Sequence, residues 1–230
     1  MIPDAGGVTD SGCGSALFTP PVLLAGINSG FEDQYPNIAF DGLTLFFGST
    51  RPGGLGSYDL WMATRGTLGD PFGTPVNLTQ LNSPSWEGGP AISSDGLTLY
   101  FAPRAVATDP STYDIMVATR PDTVSGFSAP TPLVEVNSAV ADFHPAISPD
   151  DLTMYITSGR AGGTGDYDIW VATRSDPSAA FDPPTPVTAV NSTSSDFDPT
   201  ITADGLTLFF ASRRMTMEGD LFMATRSSTS

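Results

Sequence analysis

The stretch YDIWVATR occupies residues 167–174, and it returns as YDLWMATR at 58–65, as YDIMVATR at 113–120 and, altered, as GDLFMATR at 219–226. Aromatic and β-branched residues interleaved with small or polar ones over so few positions read as a β-strand. A strand written four times points to an internal repeat, and the repeat decides the fold. Upstream of each copy stands a second run: FDGLTLFF (40–47), SDGLTLYF (94–101), PDDLTMYI (149–156) and ADGLTLFF (203–210). Their aspartates, Asp41, Asp95, Asp150 and Asp204, set a period of about 54 residues. A third run leads in, as YPNIAF, GPAISS, HPAISP and DPTITA, with prolines at 36, 90, 145 and 199. A fourth follows the ATR: FGTPVNLTQLNS, FSAPTPLVEVNS and FDPPTPVTAVNS.

Four short runs per unit, separated by Gly, Pro, Asp and Ser, describe a four-stranded antiparallel meander. The DG between the first two runs is a tight hairpin turn, and Asp151 takes the glycine's place less comfortably in the third copy. No window keeps apolar residues at helical spacing. Units of this length with four strands are blades, so the expected fold is all-β, a single four-bladed β-propeller. The fourth unit stops after its third run, and its missing strand stands at the other end, as LFTPPVLLAGINS (17–29). The interval from Phe18 to Asn28 equals those from Phe72 to Asn82, Phe127 to Asn137 and Phe181 to Asn191. The blades are therefore expected at 30–83, 84–138, 139–192 and 193–226 plus 17–29, with the N-terminal strand closing the ring. Residues 1–16, acidic and Gly-rich, are expected to form a disordered tail outside it.

The run PDDLTMYITSGRAGGTGDYDIWVATR (149–174) resembles the WD-like propeller repeat of TolB-type and tricorn-type proteins. Those units run S-P-D-G, a strand, S-x-R, a Gly-rich turn and D-[IL]-[WY], and the resemblance extends over residues 30–226. It implies a propeller and leaves function open, because such repeats serve periplasmic scaffolds, peptidase-associated domains and enzymes alike. Four blades are fewer than is usual for this repeat. The hemopexin-like propeller, whose axial channel often holds ions, is the architectural analogue.

With 25 acidic residues against 9 basic ones the net charge is −16, and every basic residue is an arginine. That field repels phosphate backbones and anionic membrane surfaces, so neither is an expected partner. The apolar runs are all too short to span a bilayer. One cysteine, Cys13, excludes an internal disulfide. No apolar run precedes it, which suits an idle thiol in a floppy end and equally an exported domain separated from its leader, periplasmic, surface-tethered or secreted, as the resemblance implies.

The repeats control for one another: a residue present in every blade serves what every blade needs. Arg65, Arg120, Arg174 and Arg226 recur in ATR, and Arg51, Arg104, Arg160 and Arg214 follow the second run. Asp59, Asp114, Asp168 and Asp220 recur as regularly, and arginine forks holding these carboxylates are expected to tie loop to strand. Three residues before each proline stands an acid: Asp33, Glu87, Asp142 and Asp196. Near the axis they would form a ring that favours a divalent cation, Ca²⁺ before Mg²⁺, unless each accepts bonds in its own loop.

The same loop holds what is not repeated: Gln34, Tyr35, Trp86, Phe143 and Phe197 as ligand-binding candidates, and His144 with Asp198 as a candidate base and its partner. Nucleophile elbows, phosphate loops and zinc spacings are missing from the sequence. The expected function is an exported module binding a small molecule or protein at the channel mouth, as a monomer or face-to-face dimer. The alternative is a metal-dependent hydrolase of esters, lactones or phosphotriesters.

Overall fold

The computed structural model describes residues 21–104 and 113–228, which form strands, turns and loops without a helix. Among them no helix is long and apolar enough to cross a membrane. The strands make four antiparallel sheets, each in chain order, and the four sheets are the blades of a β-propeller. Blade 1 holds β1 (Asp33–Ile38), β2 (Thr44–Ser49), β3 (Asp59–Thr64) and β4 (Val76–Asn77). Blade 2 holds β5 (Trp86–Ile92), β6 (Thr98–Arg104), β7 (Met116–Thr119) and β8 (Thr131–Pro132). Blade 3 holds β9 (Asp142–Ile147), β10 (Thr153–Ser158), β11 (Asp168–Thr173) and β12 (Thr185–Pro186). Blade 4 holds β13 (Asp196–Ile201), β14 (Thr207–Ser212) and β15 (Asp220–Thr225). The repeated YDIWVATR motif is the third strand of its blade.

The hairpin between the first two strands forms as its sequence requires. Gly42, Gly96 and Gly205 take φ of +71°, +73° and +69°, and Asp151 takes +59° in their place. Asp151 does more than tolerate that conformation. Its carboxylate accepts the Ser94 backbone N–H at 3.0 Å and the Ser94 hydroxyl at 2.6 Å, which ties blade 3 to blade 2.

The outer strands are two residues long, and Pro132 and Pro186 sit in them because an edge needs no donor on its free side. An asparagine completes each. Asn82, Asn137 and Asn191 accept the N–H of Leu60, Ile115 and Ile169 at 2.8–2.9 Å and donate to the same residues' carbonyls at 2.9–3.1 Å. The side-chain amide thus imitates one more strand residue.

Between blades the alternating side chains interdigitate. Phe46 and Leu60 meet Leu99 and Phe101; Tyr100 and Ile115 meet Met154 and Ile156; Tyr155 and Ile169 meet Leu208 and Phe210. Each such buried side chain contributes roughly 1.5–3 kcal/mol, which makes these layers the main cohesion of the molecule.

The arginines are structural, but their partners differ from those expected. The ATR arginines donate to the hairpin carbonyls, Arg65 to Gly42, Arg120 to Gly96, Arg174 to Asp151 and Arg226 to Gly205. Asp59 and Asp168 accept backbone N–H groups of the Gly-rich turn before them instead of binding an arginine. A carboxylate four residues from its own turn finds those donors sooner than it finds a guanidinium on another strand.

The ring is open at one seam. β1 packs on β5, β5 on β9 and β9 on β13, but no Cα of β13 comes within 8 Å of β1. Half of the expected closure is present: Ile27 is buried beside Leu45, Phe47 and Trp61, and its carbonyl accepts Arg51 Nη2 at 2.6 Å. Among the described residues, 21–29 form no strand and blade 4 has three strands, while residues 17–20 of the expected closing strand lie outside the described residues. Residues 1–20, including the expected tail, Cys13 and Phe18, lie outside the described residues.

Candidate binding site at the channel mouth

Each innermost strand carries an irregularity at one place, between Gln34 and Asn37, Gly88 and Ala91, Phe143 and Ala146, and Phe197 and Thr200. Inside it one residue adopts left-handed φ: Tyr35 at +56°, Gly89 at +60°, His144 at +49° and Asp198 at +55°. For a residue with a Cβ this costs on the order of 1 kcal/mol or more. The bulge turns these side chains toward the axis, where Tyr35, His144 and Asp198 line a cavity of about 580 Å³ with Asn37, Ala146 and Thr200.

Within it His144 Nδ1 meets Asp198 Oδ1 from the next blade. The Tyr35 ring stands 5.5 Å from the imidazole of His144, tilted by 32°. Blade 2 contributes room: a Cβ on Gly89 would come within 2.9 Å of His144 Cδ2. Burial, and then the charge of Asp198, raise the pKa of Tyr35, so its hydroxyl keeps its proton at neutral pH.

Around this centre runs a row of half-buried rings. Tyr58 and Tyr35 lie 6.1 and 5.5 Å from Trp86, Trp86 lies 5.7 Å from Tyr113, and Tyr113 lies 5.4 Å from Phe143. Phe143 in turn lies 4.9 Å from His144 and 5.2 Å from Tyr167. Phe197 stands apart under Arg213, 5.4 Å away, and Gln34 is exposed. So the structure gathers Tyr35, Trp86, Phe143, His144 and Asp198 and leaves Gln34 and Phe197 at the margin. Tyr58, Tyr113 and Tyr167 were missed. Their signal was in the opening motif: tyrosine begins three of the four copies and Gly219 the last.

The four acids do not converge on the axis. Asp33, Asp142 and Asp196 each accept the Nη2 of an arginine, Arg51, Arg160 and Arg214, at 2.5 Å. Each also accepts the backbone N–H and hydroxyl of Ser29, Ser138 or Ser192. The same guanidinium donates to a carbonyl of the preceding outer segment, that of Ile27, Val136 or Val190. These are stitches between blades. Burial opposes the charge of Asp33, but bonds from Ser49, Ser29 and Arg51 outweigh it and bring its pKa to about 2. Burial likewise opposes the charge of Asp196, and bonds from Ser212, Arg214 and Ser192 pull its pKa below the usual value. Lone pairs so engaged do not suit a Ca²⁺ or Mg²⁺ ion, and among the described residues no three metal-ligating side chains come together.

Blade 2 breaks the pattern. Pro103 stands opposite Glu87 where Ser49 faces Asp33, and Arg104 pairs with Trp86 at the neighbouring position, out of register with Arg51. Glu87 is fully buried, accepts the Ser83 hydroxyl and leaves Oε2 without a partner. Burial pushes its pKa up to about 7.

No protein-family profile matches the chain, and no curated protein matches it in sequence. Solved structures do. A protein assigned as TolB from Agrobacterium tumefaciens superposes with a TM-score of 0.55 at 20% identity over 83% of this chain and 61% of its own. TolB from Acinetobacter baumannii gives 0.50 at 16% identity over 83% and 41%. A thermostable family-43 glycoside hydrolase gives 0.56 at 11% identity over 83% and 69%. The chain thus shares the β-propeller fold of these structures. At these identities the likeness is one of fold, and the chain spans about three fifths and two fifths of the two TolB proteins.

Proposed function

We propose that the protein is an exported binding propeller whose ligand sits in the mouth formed by Tyr35, His144 and Asp198. One observation carries the reading. Three blades hold a bulky or charged residue in left-handed φ at a position where glycine serves blade 2 equally well. Blade construction alone does not ask for those side chains, and strain retained in this way clusters at binding sites. A cavity of about 580 Å³ falls within the size usual for small-ligand sites. The rings of Trp86, Tyr58 and Tyr113 offer flat surfaces beside it. With Asp198 exposed at the rim and a net charge of −16, the site favours an uncharged or cationic ligand with a flat apolar face over an anion. Export is supported by the resemblance to TolB-type repeats.

Tryptophan emission and melting temperature, followed against neutral oligosaccharides, amine-bearing compounds and anionic analogues, test the reading. Binding in the first two classes, weakened at least tenfold by Tyr35→Ala and His144→Ala without loss of fold, is expected. Equal responses of wild type and both variants to every probe would exclude the mouth.

The contact of His144 with Asp198 also supports a second reading, hydrolysis of a neutral ester or lactone with His144 as base. An ester and lactone panel tests it. Turnover that survives His144→Ala would remove it.

A further inference from the structure

Where two blades meet at the mouth, the acid of the inner strand makes the junction. The N–H groups of Asp142 and Asp196 donate to the carbonyls of Tyr113 and Tyr167 in the blade before, at 2.7 and 2.8 Å. Both carboxylates are fully buried, and an arginine balances each. Glu87 holds the same place between blades 1 and 2, and its N–H donates to the Tyr58 carbonyl at 2.9 Å. Its carboxyl is equally buried, yet it has no arginine and its Oε2 has no partner. A buried carboxylate without a counter-charge is not sustained: it keeps a proton or it reaches water. An unpaired atom where Asp33, Asp142 and Asp196 are fully bonded calls for an explanation.

The groups around Glu87 offer it no counter-charge. β5 packs on β1, β2, β3, β6 and β9. β2 carries no ionisable side chain. Asp33 of β1 and Asp142 of β9 are engaged by Arg51 and Arg160. Tyr35 and His144, on those same two strands, line the cavity. Tyr58, just before β3, gives its hydroxyl to Glu32, and Arg104, at the end of β6, is exposed. Burial, and then the charge of Asp59 on β3, oppose the ionisation of Glu87 more than its bonds from Ser83 favour it.

The same strand builds the mouth. Trp86 precedes Glu87, and its six-membered ring lies so close over Gly88 that a Cβ there would come within 2.4 Å of it. Gly89 follows and leaves the room that His144 takes. Trp86 also bridges to Tyr58, and its ring stands 5.5 Å from Tyr35 and 5.7 Å from Tyr113. We infer that Glu87 is a proton-operated latch on the mouth. With its proton, it seats β5 against blade 1 and holds Trp86 in the row of rings. Without it, the carboxylate turns to water, the bond to the Tyr58 carbonyl opens and Trp86 leaves its seat on Gly88. Gly88 and Gly89 let the strand hinge there, since neither has a side chain that restricts its backbone. The mouth is therefore closed in acid and opens as pH rises. The latch regulates the site proposed above and rests on that reading, but it works without a ligand and is tested without one.

The full chain is titrated from about pH 5.5 to 8.5, well below its melting temperature, while acrylamide quenching of tryptophan emission is followed. Acrylamide is uncharged, so the acidic surface does not repel it. Trp61 and Trp170 are only 7% and 5% exposed, which leaves Trp86 as the residue quenched. The quenching constant should rise about twofold, with its midpoint at about 7. Glu87→Gln, which cannot ionise, should keep the low value throughout, and His144→Gln should keep the wild-type transition. No transition in the wild type, one that survives Glu87→Gln, or one that disappears with His144→Gln overturns the proposal. Wild-type protein gives a second measurement that needs no variant. The infrared carbonyl band of a protonated carboxyl should be present at the acid end and vanish with the midpoint of the quenching. Its absence there, or a different midpoint, also overturns the proposal. None of these outcomes bears on whether the mouth binds a ligand, which Tyr35→Ala and His144→Ala decide.

Discussion

Glu87 is the residue at which the repeat departs furthest from its own rule, and its pH dependence follows from that. Unfolded, it titrates near 4.5; folded, at about 7. Between those values the folded chain keeps a proton that the unfolded chain has released, so stability falls as pH rises from about 4.5 to 7 and stays low above. The loss is on the order of 3 kcal/mol. Melting curves should show it, and in Glu87→Gln the decline between pH 5 and 8 should be largely gone; an unchanged decline would contradict the assignment. Asp33 acts in the opposite sense. Its pKa is lowered to about 2, so its contribution is complete above about 3.8 and disappears as pH falls toward 2. Arg160 belongs to the same system. Arg160→Ala leaves Asp142 buried without its charge partner and should cost about 3–5 kcal/mol, read as a melting temperature lower by roughly 10 °C. Ligand binding per folded molecule should not change, since Arg160 lies outside the mouth.

At the scale of the element, strand order, hairpins and blade boundaries were legible because every unit repeats the same local chemistry. The DG turns, the outer-strand prolines and the NS at the end of each run each have one local reason that recurs between blades. The Asp151 hairpin shows where local reading stops. From sequence Asp151 is an inferior glycine, yet its carboxylate bonds to Ser94 in the hairpin turn of blade 2, 57 residues away. Asp151→Gly relieves the backbone and removes that tie, and the tie is worth more, so a net loss of about 1 kcal/mol is expected. In a double-mutant cycle with Ser94→Ala the two effects should not add, and simple additivity would disprove the link.

For the whole molecule, the seam decides behaviour. Removing residues 1–16 leaves the blade 1 contacts of Ile27 and Ser29 intact, so the melting temperature should stay within about 2 °C. Removing residues 1–29 deletes the carbonyl that holds Arg51 and the Ser29 donors to Asp33, and exposes the Leu45–Phe47–Trp61 surface. That form should aggregate or unfold, as light scattering during a thermal ramp would show. Equal behaviour of the two truncations would mean that residues 17–29 hold nothing together.

By itself the sequence determined the strands, their order, the four blades and the residues that vary at the mouth, because periodicity and turn chemistry act within a few residues of each other. It did not determine which partner each repeated charge takes. Asp33, Asp142 and Asp196 read either as an axial ring or as acceptors within their own loops, since both arrangements repeat with the same period, and neither reading gave them an arginine. Only the tertiary structure separated them, by bringing an arginine that follows one strand, a carboxylate of another and a carbonyl of the preceding outer segment to one point. It also brought Tyr35, His144 and Asp198 together from three blades. Proximity between residues more than fifty positions apart is a property of the folded ring, and no local pattern encodes it.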